Sequence, residues 1–179
     1  MNEFNKIIDE IATLRNDISK DQIKEMISAI KKSNHIFLSG AGRSGLMIRS
    51  FANRLLHLGY SVSIVGEISS PHTKPNDLLI LGSGSGETAG LIHQVHVAKK
   101  NNVKVGIFTA TPKSTLGEMA DYVVEIPTQT KLSVGDSLQP MGSLFEQTSL
   151  LVYDAIVLKL MTLMGETSSA MKQRHADLE

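Results

Sequence analysis

The chain contains no cysteine, which removes disulfides, thiolate nucleophiles and cysteine-bound metals from consideration. It has no excess of charge either. Its 18 Lys and Arg side chains cancel 18 Asp and Glu, so nothing points to nucleic acid or another extended polyanion as a partner. Any anion must be gripped by a local site. The N-terminus, Met1-Asn2-Glu3-Phe4, lacks the apolar core of a secretory signal. The most apolar stretch, Ser149 to Gly165, contains Asp154 and Lys159 and reads as falling short of a membrane span. A cytoplasmic protein that contacts no membrane is expected. At 179 residues the prior is one domain with a substantial core.

What is present is an alternation of strand and helix patterns. Phe4, Ile7, Ile8, Ile11 and Leu14 recur at helical spacing. Ser19 with Gln22 three positions on forms a capping box for a second helix carrying Ile23, Met26, Ile27 and Ile30. Strands are expected at 35–39, 61–65, 77–82, 103–109 and 121–126, with helices at 44–58, 87–101 and 115–120. A loop with Pro71 and Pro75 runs from Gly66 to Asn76. This alternation implies right-handed crossovers and an α/β fold, three layers around a five-stranded parallel sheet of the doubly wound, flavodoxin-like kind. Residues 1–32 are read as N-terminal helices, 33–165 as the α/β core and 166–179 as a polar tail. After a polar segment from Pro127 to Pro140, a final helix near 142–165 is apolar almost all round. Such a helix must be covered on both sides, by the sheet and by either another subunit or the N-terminal helices.

Two glycine-rich turns carry the chemistry: Gly40-Ala41-Gly42-Arg43-Ser44-Gly45 and Gly82-Ser83-Gly84-Ser85-Gly86-Glu87-Thr88. Each follows a short apolar run and leads into a helix, so each offers free backbone N–H groups and a positive dipole end. A helix terminus alone supplies only about 0.3–1 kcal/mol. Several N–H and hydroxyl donors must therefore act together, from Gly42, Ser44, Ser83, Gly84, Ser85, Gly86 and Thr88, with Arg43 adding a charge-assisted contact or forming an ion pair. Three hydroxyls without a lysine suit a compact phosphate monoester better than a polyphosphate. The first turn also fits a dinucleotide fingerprint, with Glu67 near the ribose-binding offset. A second hydroxyl-rich turn, which a dinucleotide does not need, counts against that. Neither turn ends in the Gly-Lys-Ser/Thr of a P-loop.

Glu146 is the candidate catalytic group, a lone carboxylate among Leu144, Phe145 and Leu150 in the first turn of the final helix. Dipole complementarity explains an acid there. Equally, a carboxylate shielded from water becomes a useful base near neutral pH. Among the histidines, His35 reads as structural and His57 as a surface residue at a helix end. His93 and His96 lack a third metal ligand, so no metal is expected. His72, in a loop at the ligand edge, and His175, in the tail, could reach substrate, and as isolated polar residues each is as easily incidental.

The two turns, together with Gln139-Pro140-Met141-Gly142-Ser143-Leu144-Phe145-Glu146-Gln147, resemble the sugar isomerase (SIS) domain family. Within it the chain is similar, end to end, to the 6-phospho-3-hexuloisomerases, whose characteristic ending is matched by Met171-Lys172-Gln173-Arg174-His175-Ala176-Asp177-Leu178-Glu179. The resemblance implies interconversion of D-arabino-3-hexulose 6-phosphate and fructose 6-phosphate through an enediol, in the ribulose monophosphate pathway, without cofactor and in a homotetramer. It carries phosphate and substrate contacts onto Ser44 and Ser83 through Thr88, Glu87 included, and the proton acceptor onto Glu146. His175 becomes a second acid–base group, given in its own or a neighbouring subunit. An arabinose 5-phosphate isomerase and a non-catalytic phosphosugar sensor are the alternatives.

Overall fold

A computed structural model describes residues 2–128 and 137–178. Most of the polar segment from Pro127 to Pro140 and the terminal Glu179 therefore lie outside the described residues. The chain opens with α1 (Asn2–Thr13) and α2 (Lys20–Lys32). Ser19 caps α2 by accepting a hydrogen bond from the Gln22 N–H at 3.4 Å, which is half of the expected capping box; the Gln22 side chain instead accepts from the Glu125 N–H of β5 at 2.9 Å. There follow β1 (Ile36–Gly40), α3 (Gly42–His57), β2 (Val62–Ile64), β3 (Leu78–Gly82), α4 (Ala89–Lys100), β4 (Lys104–Thr109), α5 (Thr115–Met119) and β5 (Tyr122–Glu125). The described chain ends with α6 (Ser143–Met164) and a short α7 (Ser168–Lys172).

The five strands form one parallel sheet in the order β2-β1-β3-β4-β5. This is the expected α/β architecture. On one face α2, α3 and α6 bury Met26, Ile30, Ile48, Phe51, Ile156 and Leu160 against the sheet. On the other, α4 and α5 cover Leu79, Leu81, Val105 and Ile107 with Leu91, Val95 and Leu116. Phe51 stacks on Tyr153 at 4.8 Å, and both meet Phe108 edge-on at 6.2 and 4.8 Å. This aromatic knot joins α3, α6 and β4.

Three expectations need correction. Residues Pro140–Met164 are long and apolar enough to cross a membrane by composition, despite Asp154 and Lys159. They are nonetheless a core helix on one side, with Phe145, Tyr153, Ile156 and Leu160 buried and Leu151 and Leu158 exposed. α3 starts two residues earlier than the periodicity suggests, because Ala41 is already extended and serves as its N-cap. α4 starts two residues later, because Gly86 (φ +65°) turns the chain and Thr88 remains extended.

The start of α3 approaches β1 closely. A Cβ built on Gly45 would lie 2.6 Å from the Gly40 carbonyl oxygen, backbone that has no room to yield. Gly45→Ala should therefore destabilise the fold by about 1–3 kcal/mol, as overpacking does. Urea denaturation checks this; a midpoint equal to wild type would show that the helix slides away freely.

Candidate active site

β1 and β3 lie side by side, with Gly40 opposite Gly82 in register. The chain leaves β1 toward β2 on one side and resumes at β3 on the other. Their carboxyl ends are thus a switch point, where such sheets hold ligands. α3 and α4 both begin here, so the first-turn N–H groups of two helices sit at one crevice. α6 contributes a third N-terminus: Gly84 packs on Phe145, whose Cδ1 lies 3.2 Å from where a Gly84 Cβ would stand.

The second turn is braced from within and from below. Ser83, 4% exposed, accepts the Gly86 N–H at 3.2 Å, and the Ser85 hydroxyl accepts the Glu87 N–H at 3.3 Å. The Gly84 carbonyl accepts from the Ala110 N–H and from the Thr109 and Thr111 hydroxyls, at 3.1, 3.2 and 3.2 Å. Glu87 turns away from the crevice: its carboxylate accepts from the Thr115 N–H at 2.7 Å and the Thr115 hydroxyl at 2.8 Å. Those bonds, the backbone one first, hold its carboxyl below the usual carboxylate range. The brace is therefore intact at neutral pH and is lost as pH falls through that lowered value. Glu87 thus braces the turn as a strut, in a position onto which the resemblance had carried a substrate contact. The segment Thr109-Ala110-Thr111-Pro112-Lys113-Ser114-Thr115, also hydroxyl-rich and directly after a strand, was the signal for this support.

Glu146 is 2% exposed and does not stand alone. Arg43, at the start of α3, donates from Nη1 to its Oε2 at 2.8 Å, and the Ser44 hydroxyl approaches Oε1 at 3.5 Å. Arg43 is about half exposed and covers the carboxylate from the solvent side. The sequence left Arg43 between a phosphate contact and an ion pair; the structure makes it the partner of Glu146. The first glycine turn and the final helix, a hundred residues apart, are thereby joined at the candidate base.

The histidines fall elsewhere. His57 is buried, not on the surface, because the tail folds over it: His175 stacks on its ring at 5.2 Å, and Arg174 donates to its carbonyl at 2.8 Å. His57 ends α3, so His175 stands about 22 Å along that helix from Gly42, too far to reach the crevice of its own chain. His72 is not at the ligand edge. Its neighbour Thr73 accepts from Asn101 at the C-terminal end of α4, which places this part of the loop toward the opposite edge of the sheet. His35 meets the Ser63 hydroxyl at 2.9 Å and lies against Phe37, a structural setting. Glu67 pairs with Arg49 at 2.8 Å on the surface. Among the described residues, no group of three or more His, Asp or Glu side chains is gathered as for a metal.

The SIS domain family matches residues 29–158 of the chain, a span containing both glycine turns and Glu146. A Bacillus subtilis protein named 3-hexulose-6-phosphate isomerase is 45% identical over 177 residues, covering 97% of this chain and 96% of that one. The Mycobacterium gastri protein of the same name is 36% identical, covering 99% and 90%. A Methanococcus jannaschii crystal structure, from which the function of a 3-hexulose-6-phosphate isomerase was inferred, superposes with a TM-score of 0.88. It is 31% identical and covers the whole of both chains.

Removing Arg43 would leave a buried carboxylate without its cation. Arg43→Ala should lower stability by about 1–3 kcal/mol, less than for a fully buried pair because half of Arg43 is in water. Glu146→Gln in that background should restore part of the loss. A double-mutant cycle in urea should give a coupling of about 1 kcal/mol or more. Additive effects would mean that the pair does not hold the two helices together.

Proposed function

The chain belongs to the SIS domain family, and we propose that it is the isomerase that interconverts D-arabino-3-hexulose 6-phosphate and D-fructose 6-phosphate. The observation that carries this reading is a buried carboxylate, Glu146, held by Arg43 beside two helix N-termini and a serine-lined turn. Near-full-length relatives named for this activity support it.

The phosphoryl group sits against the turn from Ser83 to Thr88. The first N–H groups of α4 and the hydroxyls of Ser85 and Thr88 point donors at it, and Ser44 closes the other side. With that end fixed, C2 and C3 of the open-chain sugar lie near Glu146. Glu146 removes the proton from C2 of the 3-ketose, giving an enediolate. One proton returns to C3 and another passes from O2 to O3, so the carbonyl moves from C3 to C2 with no net change in electrons. One carboxylate serves both carbons from one face, contributing about 10²–10⁴-fold. Arg43, already on Oε2, keeps the carboxylate oriented while Oε1 faces the reacting carbons. Ser44 and the N–H groups at the start of α3 stabilise charge on the enediolate oxygens. Because O6 carries the phosphate, the 3-ketose has no hydroxyl with which to close a five-membered ring, and no ring-opening acid is needed on that side. The step needs no redox cofactor.

His175 reaches this chemistry only from a neighbouring subunit. We place the enzyme as a cytoplasmic homotetramer in the ribulose monophosphate pathway, with the exposed faces of α1 and α6 available for assembly.

Incubation with fructose 6-phosphate in deuterated water tests the reading directly. Deuterium should enter carbon, and arabino-3-hexulose 6-phosphate should appear while arabinose 5-phosphate remains a poor substrate. A sensor would bind without exchange, and preference for arabinose 5-phosphate would select the rival isomerase. Glu146→Gln should reduce kcat at least 10²-fold with sugar-phosphate affinity near wild type. A wild-type rate would remove it as the base. If His175 acts across subunits, inactive His175→Ala and Glu146→Gln chains should regain activity when refolded together. Mixtures that stay inactive would remove His175 from the chemistry.

A further inference from the structure

α1 is an amphipathic helix that buries none of its residues, with Phe4 57% and Ile8 49% exposed. Among the described residues, the side-chain hydrogen bonds from α1 to other elements all come from Glu10. Its Oε1 accepts the Leu138 N–H at 2.9 Å and its Oε2 accepts the Gln139 side-chain amide at 2.9 Å. Burial works to raise the Glu10 carboxyl, but hydrogen bonds from Gln139, Ser137 and Leu138 outweigh it and hold it lowered, so the group is ionised at neutral pH.

The clasped residues open the segment that launches α6. Gln139 is buried and precedes Pro140, Met141 (φ +60°) and Gly142 (φ +77°). Two successive left-handed residues, one of them a methionine 70% exposed, make a reversal that a free chain would not keep. It is held from both ends. Beyond it, the Ser143 hydroxyl donates to the Pro140 carbonyl at 2.7 Å, and Glu146 is fixed by Arg43 one turn later. Before it, the hold is Glu10.

The geometry points to Glu10 as a positioning residue: by clasping Leu138 and Gln139 it keeps the strained turn wound, and so aims Glu146 at the reacting carbons. The inference rests on the proposed role of Glu146, which Glu10 does not touch. Loss of the clasp lets Met141 relax and the first turn of α6 drift. A drift near 1 Å at a reacting group costs up to 10²-fold, whereas the phosphate turn, on β3 and α4, is left alone.

Glu10→Ala should therefore lower kcat about 10-fold or more, with KM within twofold and the same oligomer by size exclusion. Glu10→Gln, which can still accept from Leu138 and pair amide to amide with Gln139, should recover most of the rate. Glu10→Ala with Gln139→Ala should be no slower than the slower single variant. Amide hydrogen exchange in Ser143–Gln147 should quicken in Glu10→Ala, a readout that does not depend on turnover. Unchanged kcat and exchange, a rise in KM matching the fall in kcat, or a Gln variant as slow as Ala would overturn the inference. A wild-type protein inert toward the hexulose phosphate would instead sink the reading of the site, while the exchange result still judged the clasp.

Discussion

The site depends on one ion pair. Arg43 begins α3 and Glu146 lies in the first turn of α6, and the 2.8 Å contact between them is what makes two distant helix starts a single crevice. The paired helices also share the face on which Phe51 stacks on Tyr153. The carboxylate is nearly dry while the guanidinium is half wet, an asymmetry with a chemical consequence. A fully buried pair would lock both groups, whereas a half-exposed arginine holds one carboxylate oxygen and can adjust at small cost when substrate arrives.

Much of this was legible before any coordinates. The strand–helix alternation gave the sheet because parallel crossovers leave few other solutions, and β3 is apolar throughout and β4 buried from Val105 to Thr109, as a doubly covered sheet demands. The two glycine turns were legible for the same reason, since a glycine run after an apolar strand has few other uses. Glu146 stood out as a charge in an apolar stretch. What could not be read was pairing across distance. No periodicity links Arg43 to Glu146, Glu87 to Thr115 or Glu10 to Gln139, because each pair is joined by the packing of distant elements and not by spacing. His57 and His175 failed similarly. A histidine at a helix end looks solvent-bound until a tail from more than a hundred residues away folds over it.

Glu87 shows how a motif residue can serve as a strut of its own turn. In a turn proposed to hold phosphate, a carboxylate would repel the ligand. Directed into the crevice, it would oppose the helix dipole of α4. Directed away, onto the N–H and hydroxyl of Thr115, it ties the turn to the start of α5 and keeps its charge at a distance. The same turn uses Ser83 and Ser85 as acceptors for its own N–H groups. A hydroxyl that accepts from the backbone keeps its own proton to donate, so bracing and binding are compatible in one side chain.

The absence of lysine from the second turn follows from where the cation already is. Arg43 brings a positive charge to this crevice, and it is engaged with a carboxylate. In the proposed reading, a phosphate dianion entering beside that neutralised pair gains little from Arg43 and is held by neutral donors: N–H groups at helix starts and serine and threonine hydroxyls. Each such donor is weak, and only a group small enough to meet several at once is held. A compact monoester satisfies that condition; an extended polyphosphate would leave most of its charge beyond their reach. A lysine in that turn would improve grip but would also compete with Arg43 for Glu146, pulling the proposed base out of aim. On that reading the turn is built from hydroxyls because the charge is reserved for orienting the carboxylate.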